Sequence, residues 1–122
     1  MHQQRLVQAR QFQRAYEEGM SFVHPLLVLR AVDNGLPYNR FGFVVGGRIG
    51  KAVVRNQVKR RLREAMRLRA TQIPPGWDLV LVARTPIVKA SYQHIEEALD
   101  SLLPRLRQRI TTSRLVPADG TN

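Results

Sequence analysis

The sequence of 122 residues contains no cysteine, which excludes disulfides and thiolate metal sites and is compatible with a reducing compartment. No stretch approaches the roughly 20 apolar residues that a membrane span needs. The first residues, MHQQRLVQARQFQR, lack the apolar run of a signal peptide. A cytoplasmic protein is therefore expected. Acids are scarce: 9 Asp plus Glu stand against 20 Lys plus Arg, a formal net charge of +11. They are also scattered. Glu17–Glu18 and Glu96–Glu97 are adjacent pairs on helical segments, where neighbours point different ways and cannot share acid–base work. His2, His24 and His94 are scattered, and none has a second histidine at i+3 or i+4. A nucleophile would have to be serine or threonine, and no activating constellation accompanies one. No catalytic residue and no metal-ligand set is read in the protein itself.

The glycines do not supply a nucleotide loop either. Gly50-Lys51 fits the end of G-x-x-x-x-G-K-[S/T], but Ala52 lacks the hydroxyl for magnesium and Val45 stands where the first glycine belongs. The pattern G-x-G-x-x-G is also missing. Gly46, Gly47 and Gly50 do allow exposed backbone amides to meet phosphate.

What the chain does have is concentrated positive charge. Residues 48–69, RIGKAVVRNQVKRRLREAMRLR, carry Arg48, Lys51, Arg55, Lys59, Arg60, Arg61, Arg63, Arg67 and Arg69 against the single acid Glu64. Nine minus one gives +8 of the chain's +11. Val54, Val58, Leu62, Ala65 and Met66 recur at helical spacing and form one apolar stripe. Arg55, Asn56, Lys59, Arg60, Arg63 and Arg67 fall on a neighbouring face. The stripe anchors the helix and the row beside it presents rigid cations. Guanidinium forks match phosphate oxygens, lysine adds a point charge, and the amide of Asn56 can donate and accept. Such one-signed density calls for a polyanionic partner. A membrane surface fits poorly, because the stripe is needed for the core and the helix lacks bulky aromatics. A DNA-reading helix-turn-helix fits poorly as well, because prolines and a strand follow the basic helix. Structured RNA fits best.

Around this helix the chain reads as one α+β domain over residues 1–110, with a polar, flexible tail over 111–122. Residues 1–9 read as a basic, loosely ordered arm. A helix over 10–18 is ended by Gly19 in a left-handed position. Phe12, Ala15 and Tyr16 share one face of it, and either both rings are core or one stays exposed for a base to stack on. Residues 21–32 are strand-like and interrupted at Pro25. Residues 40–45 form a second strand, expected beside the first and antiparallel to it, and Gly42 signals a bulge or a close backbone approach. WDLVLVAR over 77–84 is apolar on both faces and should be central. Ser91 caps a last helix that Pro104 should kink or end near Leu103. The sum is a sheet of about four strands with three helices, and the strand–helix–strand unit around the basic helix should cross over right-handedly.

The segment GKAVVRNQVKRRLREAM over 50–66 resembles the Arg-Asn-x-x-Lys-Arg-x-x-Arg-Glu signature of the bacterial ribonuclease P protein subunit, at Arg55, Asn56, Lys59, Arg60, Arg63 and Glu64. FQRAYEEG, LVLRAVD, RFGFVV and GWDLVLVAR agree in order, so the resemblance covers residues 5–106. It implies a two-layer α/β sandwich like a ribosomal-protein domain, with a left-handed crossover instead of the right-handed one. It also implies a holoenzyme in which a catalytic RNA, with Mg2+ bound mainly by that RNA, removes the 5′ leader of precursor tRNA. Arg48, Lys51, Arg55, Asn56, Lys59, Arg60, Arg63 and Arg67 would then face the catalytic RNA, and Phe12, Tyr16 and Arg30 would line a cleft for the leader. Two positions depart from the family pattern. Gly46-Gly47-Arg48 replaces Ser-Lys-Lys, and Arg30 stands where an aromatic is common, which makes leader contact more electrostatic and less stacked. The alternative is a structural or chaperone-type RNA-binding protein with no role in tRNA processing.

Overall fold

The computed structural model describes residues 3–6 and 8–115. Five strands form one sheet in the order β1-β4-β5-β3-β2. They are β1 (Gln3–Arg5), β2 (Met20–Val23), β3 (Leu27–Asp33), β4 (Asn39–Val44) and β5 (Trp77–Ala83). The helices are α1 (Ala9–Glu18), α2 (Ala52–Arg67) and α3 (Tyr92–Leu115).

β5 is central, as its two apolar faces require. It runs parallel to β4 and antiparallel to β3. The expected β3–β4 pairing is therefore wrong, because β5 lies between them. β4 and β5 can be parallel because α2 carries the chain back between them. The turn at His24-Pro25-Leu26 splits the strand-like run over 21–32 into the antiparallel hairpin β2–β3.

The basic arm also needs correcting. Gln3–Arg5 is a fifth strand, parallel to β4, and Leu6 behind it is buried. α1 starts at Ala9, one residue before the expected start, and Gly19 after it is extended, with φ −78°. Its glycine answers space: a Cβ there would stand 2.4 Å from the Ala15 carbonyl oxygen. α3 does not end at Pro104 but runs on to Leu115, into the expected tail. Residues 116–122 lie outside the described residues.

Alternate residues of each strand serve two cores. Leu27, Leu29, Ala31, Phe41, Leu79 and Leu81 face α2 and α3. On the other face, Val32 and Val80 meet Leu6, Ala15 and Phe12 under α1. α1 crosses only one half of that face, which we call lower: Arg14 donates to the Asp33 carbonyl and Arg30 donates to the Tyr16 carbonyl. The upper half is the expected two-layer sandwich, bare on the α1 side. Arg40 and Asp78, also on the α1 side, tie β4 to β5 by a bidentate pair at 2.8 Å, and Asn34 donates to the same carboxylate.

Candidate nucleic-acid interface

α2 is anchored as its pattern requires. Val58, Leu62, Ala65 and Met66 are buried and Val54 is half-buried against the same core. The chain enters it through a single 3-10 turn, Gly47–Ile49, whose Ile49 is buried and pins the loop. Gly50 then adopts φ +151°, a conformation that side chains rarely take. Lys51 at the N-cap makes no side-chain cap bond, and the first turn holds no acid. The uncapped amides at this end carry the positive pole of the helix dipole, next to Lys51 and Arg55. An anion is the natural complement.

Arg48, Lys51, Asn56, Arg60, Arg63 and Arg67 are exposed, and Arg55 and Lys59 are half-buried. Among the described residues, no carboxylate lies within ion-pair distance of Arg48, Lys51, Arg55, Lys59, Arg60 or Arg63. The Nε of Arg55 is shut from solvent with no hydrogen-bond partner in the protein. The guanidinium of Arg63 lies 5.8 Å from the centre of the Phe43 ring, which steadies it. The row is thus a set of six cations without acid partners. Arg67, placed in the same row by the sequence, differs. It holds Glu64 through two bonds of 3.1 and 2.6 Å, which keeps that carboxyl below its ordinary titration range. Arg69 leaves the row altogether and clamps Asp100 and Glu96 of α3, so its charge is structural.

One residue of this face escaped the sequence reading. Val53 is 80% exposed and shares a helix face with Asn56 and Arg60 at i+3 and i+7. The available signal was that it lies off the stripe of Val54 and Val58.

The second surface is the bare upper half of the sheet. Val23, Val28, Val82 and Val44 are direct partners across four strands, in that order. They form an apolar row perpendicular to the strands. Val23 is 55% exposed and the other three are half-buried. α1 walls the row on one side. Its Phe12 is half-buried, and a Cβ at Gly42 would stand 2.5 Å from that ring, so the close approach expected at Gly42 is made by Phe12. Tyr16 is 39% exposed. One ring is therefore largely core and the other open. Arg30 stands 5.4 Å from the centre of the Tyr16 ring. Burial pushes the Tyr16 hydroxyl up, and the charge of Arg30 opposes that shift. Phe12, Tyr16 and Arg30 are thus brought together on the sheet side of α1. The row continues into a cleft of about 380 Å³ lined by Val44, Gly46, Gly47, Arg48, Val82 and Arg84. The sequence reading missed the valines and Arg84, because only the strand register aligns them.

The two surfaces meet at the 46–50 loop. Together they offer a cationic ridge for a polyanion and an apolar groove with cationic ends. The family model described as Ribonuclease P matches residues 1–107. The chain belongs to the ribonuclease P protein family. The ribonuclease P protein component of Alkaliphilus oremlandii is 38% identical over 102 residues, covering 84% of this chain and 90% of that protein. That of Herpetosiphon aurantiacus is 42% identical over 100 residues, covering 82% and 81%. The solved ribonuclease P protein of Thermotoga maritima superposes with a TM-score of 0.76 at 34% identity, covering 84% of this chain and 96% of that one. The Staphylococcus aureus protein superposes with 0.78 at 28% identity, covering 84% and 94%. As a ribonuclease P protein, the chain is a component of a ribonuclease and works in tRNA processing.

Among the described residues, no helix is long and apolar enough to cross a membrane. Nor do three or more His, Asp or Glu side chains gather there as a metal site. Five of the nine acids are ion-paired with arginines: Asp78 with Arg40, Glu64 with Arg67, Glu96 and Asp100 with Arg69, Glu18 with Arg14.

Proposed function

We propose that this chain binds the catalytic RNA of ribonuclease P through the face of α2 and holds the 5′ leader of precursor tRNA across the valine row. The RNA subunit performs the phosphodiester hydrolysis in the cytoplasm. Magnesium is the metal of that reaction and is held mainly by the RNA, a reading supported by the pairing of five of the protein's nine acids with arginines.

The observation that carries this reading is the row of six cations without acid partners, Arg48 and Lys51 leading into α2 and Arg55, Lys59, Arg60 and Arg63 on it, beside the helix's buried stripe. A folded RNA crowds phosphates together. A rigid array of cations lowers that repulsion and with it the magnesium the fold requires. The role of the groove follows from its chemistry. Valines give a sequence-tolerant floor, Phe12 and Tyr16 add ring faces, and Arg30, Arg48 and Arg84 supply charge for phosphates. Mature tRNA has no leader, so a groove that holds one extended strand favours precursor over product.

The test is reconstitution. With a bacterial ribonuclease P RNA at low magnesium, the protein should raise precursor cleavage by an order of magnitude or more. No gain at any magnesium concentration would leave a general RNA-binding protein as the better description.

A further inference from the structure

Next to the groove lies a second cleft of about 310 Å³, between the β2–β3 turn, the turn at Thr85–Lys89 and the first turns of α3. Its lining mixes two chemistries. Leu26 and Pro86 are apolar, while His24, Lys89, His94 and Glu97 are polar. Pro86 also lines the cleft at the end of the valine row, so the two clefts adjoin at that residue. Both histidines are set by backbone bonds. The Leu26 amide donates to His24 Nδ1 at 3.0 Å, and the Ser91 amide donates to His94 Nδ1 at 3.4 Å. With Nδ1 accepting, each neutral ring carries its hydrogen on Nε2 and keeps one donor to give. Ser91 Oγ in turn accepts from the His94 amide, which fixes the start of α3.

We propose that this cleft is a subsite for one further nucleotide of single-stranded RNA that has already crossed the valine row. The inference rests on the leader reading above and extends it. The size is that of a small-ligand site, too small for a duplex. The apolar floor suits the face of a base. The Lys89 ammonium and the two Nε2–H donors suit phosphate oxygens, and Glu97 can accept from a ribose hydroxyl or an exocyclic amine. Lys89 and Glu97 offset each other in charge, so the site is not a bare anion trap. It fits the mixed chemistry of a whole nucleotide.

The experiment compares holoenzyme affinity for precursors whose leaders grow one nucleotide at a time. It uses the unaltered protein, Lys89→Ala/His94→Ala and Phe12→Ala. Both residues of the double variant are exposed, and its melting temperature is measured alongside. In the unaltered protein, affinity should step up by roughly fivefold once the leader outgrows the valine row. The double variant should lose that step while binding short leaders normally. A step of equal size in the double variant, or no step in the unaltered protein, overturns the subsite. Phe12→Ala should weaken binding at all leader lengths. If it has no effect at any length, the leader groove itself fails, a result separate from the fate of the subsite.

Discussion

The Phe12 ring of α1 packs against Gly42 in β4, so close that a Cβ on residue 42 would sit 2.5 Å from its Cε1 and 2.8 Å from its Cζ. This contact sets how near the first helix comes to the sheet, and so how deep the groove beside it is. Gly42→Ala should push the ring outward and lift α1. The expected cost is about 1–3 kcal/mol. Precursor tRNA affinity should fall with it, while affinity for the catalytic RNA stays. A thermal melt with binding to both RNAs checks this; an unchanged precursor affinity would separate groove depth from leader contact.

The floor of the groove gives a sharper probe. Val28 sits between Val23 and Val82 in the cross-strand row and is half-buried. Val28→Asp would place a carboxylate under the path of the leader phosphates. Precursor affinity should drop by about tenfold and mature tRNA affinity should hold. Equal losses for both RNAs would move the leader elsewhere.

Arg69 separates structural from binding charge within one stretch of sequence. Its side chain is 11% exposed, and it bonds Asp100 at 2.7 Å and Glu96 at 3.3 Å. Arg69→Ala should therefore lower stability by about 1–2 kcal/mol, measured by denaturant unfolding, with little effect on RNA affinity. The pH dependence has a definite sign. Arg69 holds the Asp100 carboxyl below its ordinary range, so the stabilisation is present above that range and is lost as pH falls through the lowered value. The gap between Arg69→Ala and the unaltered protein should be constant from neutral pH down to about 5 and shrink below about 4.

The ridge was legible in the sequence because a helix is a local object. Five apolar residues at helical spacing fixed its buried side and hence its cationic side. The central strand was legible for a similar reason, since residues 77–84 are apolar on both faces. What failed depended on distant pairing. Gln3–Arg5 looks like a polar arm and becomes a strand only because β4 has an open edge. The valine row takes one residue from each of four strands, and only register joins them. Pro104 failed differently. Pro104 and Asp100, whose carbonyl loses its helical partner, are both exposed, while Leu102, Leu103, Leu106 and Ile110 around them are buried. Packing holds the helix together where local propensity would have stopped it.

The most direct test is the affinity of Arg55→Ala/Arg60→Ala for the catalytic RNA, measured across a salt series beside a thermal melt. With six cations lacking acid partners, the unaltered protein should lose affinity with a log–log salt slope of about −4 to −5. The double variant should bind at least about tenfold more weakly. Its slope should be shallower by about 1.5, and its melting temperature should be nearly unchanged. Unchanged affinity and slope with a large fall in melting temperature would contradict the assignment, because the arginines of α2 would then be holding the protein together instead of gripping RNA.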